Sequence, residues 1–297
     1  MKKIISVILI LTLSALALFA FASCGEKKDQ PSNDTGKNDA SKEIKIAVPN
    51  DTTNEARALL LLEANGLIKL KEDAGITATI RDIAENPHNI TFSEVEAAQL
   101  PNVLKDVDYA VINSNFAIAA GLNPVKDALI IEGSYSAYSN ILAVKEGNEN
   151  TDKIKALTAA LLSKQVAEFI AEKYAGSVVS VVEGPTDGYD ASVDYEALAG
   201  TTITVAASPT PHAEILAVAK DILAAKNITL EITEFEDYVQ PNNVVDSGEI
   251  DANYFQHVPY LNDFNDENNT HIVSVAEIHV EPLGLYGGQQ TTLDPLK

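Results

Sequence analysis

From Ile44 onward the chain alternates short β-branched runs with stretches of helical periodicity, and that alternation points to an α/β architecture with mostly parallel sheets. Residues 44–48, 77–80, 109–112, 129–131 and 141–144 read as strands, with helical pieces around 93–98 and 116–121. Thr52-x-x-Glu55 matches a capping box and opens a helix running through Leu62. Apolar positions at Ile154, Leu157, Leu161 and Leu162, then Val166, Phe169 and Ile170, predict helices within residues 151–175. A turn-rich stretch, 183–200, breaks the rhythm. Beyond it, 202–206 is a strand, and 211–226 is a helix with Pro211 in its first turn and a stripe through Ile215, Leu216, Ala219, Ile222 and Leu223. Segments 228–232, 238–246, 252–255 and 272–275 continue the alternation.

The N-terminus reads as an export signal. Lys2 and Lys3 precede an almost wholly apolar stretch, 4–22, and Phe21-Ala22-Ser23-Cys24 then places small residues before the only cysteine in the chain. With a single thiol no internal disulfide forms. The arrangement resembles a bacterial lipobox, which implies a signal peptide over 1–23 and a lipid on Cys24 that ties the chain to a membrane on its extracytoplasmic side. The competing reading is an uncleaved membrane helix, since the stretch is nearly long enough to span. Residues 25–43 contain no large apolar side chain, so 24–43 is expected to be a flexible tether. A net charge of −22 argues against nucleic acid and against charge-driven binding to anionic lipid. Solubility accounts for most of that acidity.

Two segments say more. One is Pro49-Asn50-Asp51-Thr52-Thr53-Asn54-Glu55-Ala56-Arg57; the other is Asp251-Ala252-Asn253-Tyr254-Phe255-Gln256-His257-Val258-Pro259-Tyr260-Leu261. Both closely resemble signature segments of the NlpA/MetQ family, lipoproteins that capture methionine for ABC importers, and Pro209-Thr210-Pro211-His212-Ala213-Glu214-Ile215-Leu216 is similar to a third. In that family the Phe-Gln-His segment comes first; here it comes second. The resemblance therefore implies a two-lobed, type II periplasmic-binding-protein-like α/β fold in circularly permuted order. Carried over, lobe B is 44–136 with 290–297, lobe A is 137–182 with 201–289, and 183–200 joins the family's usual termini. The two crossovers between lobes are expected near 133–140 and 286–292, with Leu296 beside Ile44. Thr52 stands where the family has Pro, Ala56 where Gly is frequent, and Gly287 where Ser is typical.

The resemblance also implies ligand contacts at Arg57, Asn113, Asn140, Tyr238, Phe255 and His257. A guanidinium grips a carboxylate with parallel hydrogen bonds, and a helix N-terminus favours the same group. An asparagine offers a donor and an acceptor, so it can serve either end of a zwitterion. An aromatic wall suits a polarisable thioether. By spacing alone the bland accounts lead: a surface Arg57 paired with Glu55 or Glu63, strand-end asparagines closing turns, and Phe255 in a core. The matched positions reverse them. A transmembrane permease and a cytoplasmic ATPase are the implied partners, and no cofactor is implied.

An enzyme finds little support, since there is no Gly-x-Ser-x-Gly elbow and no glycine-rich phosphate loop follows a strand. The alternative function is capture of a metal ion, with His271, His279 and Glu281 as candidate ligands, but no His-rich loop completes a set.

Overall fold

The computed structural model describes residues 43–133 and 137–297. The expected signal, Cys24 and the tether to residue 42 lie outside the described residues, as do 134–136 of the first crossover. In chain order the strands are β1 (Ile44–Pro49), β2 (Lys69–Leu70), β3 (Ile83–Glu85), β4 (Ile90–Val95), β5 (Tyr109–Ile112), β6 (Ala128–Ile131) and β7 (Ser139–Lys145). After these come β8 (Val179–Ser180), β9 (Thr202–Ala207), β10 (Thr229–Glu234), β11 (Ala252–His257), β12 (Ile272–Val280) and β13 (Gly284–Gly287).

They form two main sheets, β4-β1-β5-β13-β6 in lobe B and β10-β9-β11-β7-β12-β8 in lobe A, with β2 and β3 paired apart. Each sheet lies against its own apolar cluster. Ile46, Val48, Leu59, Leu62, Tyr109 and Leu285 anchor lobe B, and Leu142, Val144, Leu157, Val205, Leu216 and Leu223 anchor lobe A. In lobe A the stripes expected from sequence fall inward: Ile154 and Leu157, Val166 and Ile170, and Ile215, Leu216, Ala219, Ile222 and Leu223 are all buried.

The sheets are mixed rather than mostly parallel. Parallel pairing is confined to β4-β1-β5 and β10-β9-β11. The strands next to the crossovers, β13 in lobe B and β7 in lobe A, pair antiparallel with both of their neighbours. A chain returning from the other lobe enters its sheet from the cleft end, which reverses its direction.

Four local expectations are corrected. Residues 77–80 form no strand; Thr79 and Asp82 close a capping box on a 3-10 turn, Ile80–Asp82. Residues 93–95 belong to β4, which pairs with β1 along its whole length, and only Ala97–Gln99 turns helically. The helix Thr52–Ala64 is capped by Asp51 rather than Thr52, because the Asp51 carboxylate accepts the Asn54 amide. Glu55, freed from a capping role, accepts the Ile80 amide at 2.9 Å.

The fourth concerns the return to lobe B. Lobe A was expected to run through residue 289, yet β13 pairs with β5 and β6, and Leu283 and Leu285 fill the lobe B core. The second crossover is therefore 281–283. After β13 the backbone presses closely on lobe B: the Gly288 and Gln289 amides bond to Asp108 O and Val107 O. A Cβ on Gly288 would sit 2.0 Å from Leu104 O, a space only glycine fits. Leu296 then joins Ile44 in one apolar cluster.

Candidate functional site

Strand ends from both sheets converge on one cavity, the usual place for a ligand in α/β proteins. The cavity volume is about 30 Å³, well below the roughly 300–1,000 Å³ of open small-molecule sites, so the side chains close tightly on one another in this state. All six residues expected to contact a ligand line it: Arg57, Asn113, Asn140, Tyr238, Phe255 and His257.

Lobe B contributes Arg57 and Asn113. Arg57 lies on the helix that begins after β1, and only 4% of it is exposed. Its Nε lies 3.0 and 3.2 Å from the two Glu132 oxygens. Its Nη2 bonds Glu132 as well and donates to the main-chain oxygen of Glu281 at 2.9 Å. The guanidinium carbon sits 4.4 Å from the Tyr138 ring centroid, within cation–π range. No partner for Nη1 occurs among the described residues. Asn113 occupies the cap position after β5 but makes no capping bond. Its Nδ2 instead donates to Asn54 Oδ1 at 2.8 Å, and its buried Oδ1 has no partner among the described residues.

Lobe A contributes the rest. The register of β7 sets Asn140 between His257 on β11 and His279 on β12. Asn140 Oδ1 lies 2.8 Å from His212 Nε2. His257 caps the helix Val258–Asn268, its Nδ1 accepting the Tyr260 amide at 3.1 Å. Burial, and then the Arg57 charge, hold His257 well below its usual pKa, so the ring is neutral with its proton on Nε2. Tyr238, Phe255 and Tyr260 form an aromatic wall with centroids 5.8–6.0 Å apart.

Contacts also span the lobes. The Tyr238 hydroxyl donates to Asn115 Oδ1 at 2.8 Å, and its ring lies 5.0 Å from that of Phe116.

Glu281 lies in the second crossover and is buried. His279 Nε2 is 2.8 Å and His212 Nε2 3.2 Å from its Oε1. Burial raises the Glu281 pKa, opposed by His212 and Arg57. Burial pushes both imidazoles down to about 3. The ligand-capable atoms of His212, His279 and Glu281 fall within 4.8 Å of one another. The cation set expected from sequence is thus corrected in one member: His271 is exposed just before β12, and His212 takes its place.

Sequence reasoning did not single out Asn54, Asn115, His212, Tyr260 or Glu132. Asn54 and His212 stand inside two of the segments that resemble the family, so their position there was the available signal. Asn115 and Glu132 carried none, because only the fold brings them to Tyr238 and Arg57. Gln256 lines the cavity, but its amide is bound to Asn242 and Asn253.

The family model for the NlpA lipoprotein matches residues 38–182 and 203–297, well over half the chain. The chain belongs to the NlpA lipoprotein family. Among curated members, the membrane lipoprotein TpN32 of Treponema pallidum is 47% identical over 135 residues, 46% of this chain and 50% of that protein. The D-methionine-binding lipoprotein MetQ of Escherichia coli K12 is 41% identical over 136 residues, 45% of this chain and 50% of that one. The chain thus spans about half the length of the curated relatives it matches. A solved nutrient-binding protein from Burkholderia cenocepacia, bound to methionine, is 51% identical over 46% of this chain and 58% of that one, with a TM-score of 0.45.

Proposed function

We propose that this NlpA-family lipoprotein captures methionine, or a close derivative, outside the cytoplasm and delivers it to an ABC importer. The observation that carries the reading is the buried Oδ1 of Asn113, without a partner among the described residues, in the same cavity as the Arg57 guanidinium. A buried acceptor without a donor costs about 1–3 kcal/mol, and an ammonium supplies that donor. Arg57 supplies donors for a carboxylate. Tyr238, Phe255 and Tyr260 then offer a polarisable side chain an apolar wall. One free amino acid with a thioether satisfies all three requirements. Relatives named for methionine binding support this reading over capture of a metal ion. The imidazole Nε2 atoms a cation would use already lie at hydrogen-bond distance from Glu281.

Closure of the two lobes about the hinge segments would trap the ligand, with tighter binding to the closed form driving the equilibrium. The partners on this reading are a permease and an ATPase, and a lipid on Cys24 holds the protein at the membrane. The role is capture and delivery, without turnover.

The domain reading follows the same logic. Lobe B is built from 44–133, 284–287 and the final residues, lobe A from 139–182 and 201–280, and 183–200 joins what are termini in the family. The reversed order of the two signature segments and the two separate blocks of family match support a circular permutation.

Isothermal titration of the purified protein with L- and D-methionine tests the function, together with mass spectrometry of any ligand carried through purification. Micromolar or tighter binding of one enantiomer is expected. Absence of binding to either, with no co-purified amino acid, would overturn the reading.

A further inference from the structure

Two chains of hydrogen bonds run into the cleft, one starting at the partly buried Asp51 carboxylate and one at the buried Glu281 carboxylate, and they end on the two asparagines with opposite sense. In lobe B, Asp51 Oδ1 accepts from the Asn54 amide N–H at 3.1 Å and from Asn54 Nδ2 at 2.8 Å. Asn54 therefore turns its Oδ1 outward, and that oxygen takes Asn113 Nδ2 at 2.8 Å. What remains of Asn113 is its Oδ1, an acceptor.

In lobe A the chain starts at Glu281. The Tyr254 hydroxyl bonds His279 Nδ1, and His279 Nε2 reaches Glu281 Oε1 at 2.8 Å, so His279 is a donor to that carboxylate. His212 Nε2 is placed between the same oxygen, at 3.2 Å, and Asn140 Oδ1, at 2.8 Å. The Glu281 oxygen is an acceptor whichever way Asn140 is turned, so the single proton of a neutral His212 sits on Nε2, and its Nδ1 is left without a partner among the described residues. That proton fixes Asn140 with its oxygen turned to the ring. What remains of Asn140 is its Nδ2, a donor, and no partner for it occurs among the described residues. Carboxylates only accept, so neither amide is free to flip without breaking its chain.

We infer that His212, anchored by Glu281, is a positioning residue that presets Asn140 as a donor to the ligand carboxylate, while Asp51 and Asn54 preset Asn113 as an acceptor for the ligand ammonium. This rests on the amino-acid reading of the cleft and adds the direction in which the zwitterion lies. Carboxylate faces Arg57 and Asn140; ammonium faces Asn113. The cleft discriminates by polarity as well as by shape. An amide presented the wrong way round meets the ligand with donor against donor or acceptor against acceptor, which is repulsive.

The test pairs protein variants with methionine and with two analogues that each lack one of its charged groups. The probes are methionine, 4-(methylthio)butanoate, which has no ammonium, and methioninol, which has no carboxylate. Nuclear magnetic resonance titration reads the weak complexes. Asn140→Ala should weaken methionine and 4-(methylthio)butanoate by roughly tenfold to a hundredfold and leave methioninol nearly unchanged. Asn113→Ala should weaken methionine and methioninol and spare 4-(methylthio)butanoate. His212→Phe should reproduce the Asn140→Ala pattern, and His212→Gln, which keeps a donor, should restore most of the affinity.

A purely structural His212 would weaken all three probes alike and be reflected in thermal stability, so that outcome overturns the inference. So does the reverse pattern at Asn113 and Asn140. Should His212→Phe not fold, the two asparagine variants and His212→Gln still decide the matter. Wild-type protein that binds none of the probes overturns the amino-acid reading and the inference with it; wild-type binding with the same loss at both asparagines overturns the inference alone.

Discussion

Arg57 and Glu132, 75 positions apart in sequence, form a bidentate pair at the edge of the cleft, with Arg57 Nε 3.0 and 3.2 Å from the two carboxylate oxygens. The same carboxylate accepts the Leu283 amide at 3.2 Å, and Arg57 also holds the Glu281 main-chain oxygen. One ion pair thus connects the first helix of lobe B to both segments that run between the lobes. On the proposed function, a guanidinium aimed this way is preorganised for a ligand carboxylate, because its orientation does not have to be fixed on binding.

Arg57→Ala should raise the dissociation constant for methionine by two to four decades, since leaving a buried charge unpaired costs about 3–5 kcal/mol. Arg57→Lys should recover only part of this, having lost the planar fork. Calorimetry checks both, and near-normal affinity in the alanine variant would remove Arg57 from the site.

Tyr238→Phe deletes the hydroxyl that reaches Asn115 across the cleft. Its aromatic contacts with Phe116 and Phe255 remain. The expected loss is about 0.5–1.5 kcal/mol of affinity, the worth of an ordinary hydrogen bond, and it should arise from faster release. Stopped-flow kinetics would show an unchanged release rate if the bond plays no part in closure.

Phe255→Leu keeps an apolar wall but removes a ring. Sulfur–aromatic contact contributes about 0.3–1.5 kcal/mol, so the preference for methionine over norleucine should narrow by that amount. Equal losses for both ligands would show that Phe255 contributes area alone.

Stability should fall as solutions become acidic. His212 and His279 are held at about 3 in the folded protein by burial, and His257 is lowered by burial and then by Arg57. In the unfolded chain these imidazoles protonate near 6.5. The folded values are the lower ones, so stability is fully present above pH about 6.5 and is lost as pH falls toward about 3, at about 1.4 kcal/mol per pH unit for each imidazole. Glu281, raised by burial, has the opposite sign: it favours the fold below its unfolded pKa and opposes it once the solution passes its folded one. Urea unfolding at pH 7.5 and 5.5 should show the decrease, and His212→Gln should reduce the slope by about one proton. Identical midpoints at the two pH values would contradict the buried neutral imidazoles.

Much of the fold was legible because its elements are periodic. The strand at 109–112, the stripes at Ile154–Ile170 and Ile215–Leu223, and the convergence of Arg57, Asn113, Asn140, Tyr238, Phe255 and His257 all follow from residue patterns and from segments that resemble the family. Residues 93–95 were misread because β4 carries polar side chains. Its strand state comes from pairing with β1, an interaction between distant residues that local pattern does not encode.

The sequence by itself determined which side chains are available to a zwitterion, because residue type sets charge, hydrogen-bonding capacity and polarisability. Only the tertiary structure decided how they are aimed. Whether an asparagine offers oxygen or nitrogen depends on its outer neighbour, and Asn54, His212 and Glu132 reach their partners only once strands and crossovers from distant parts of the chain are packed together.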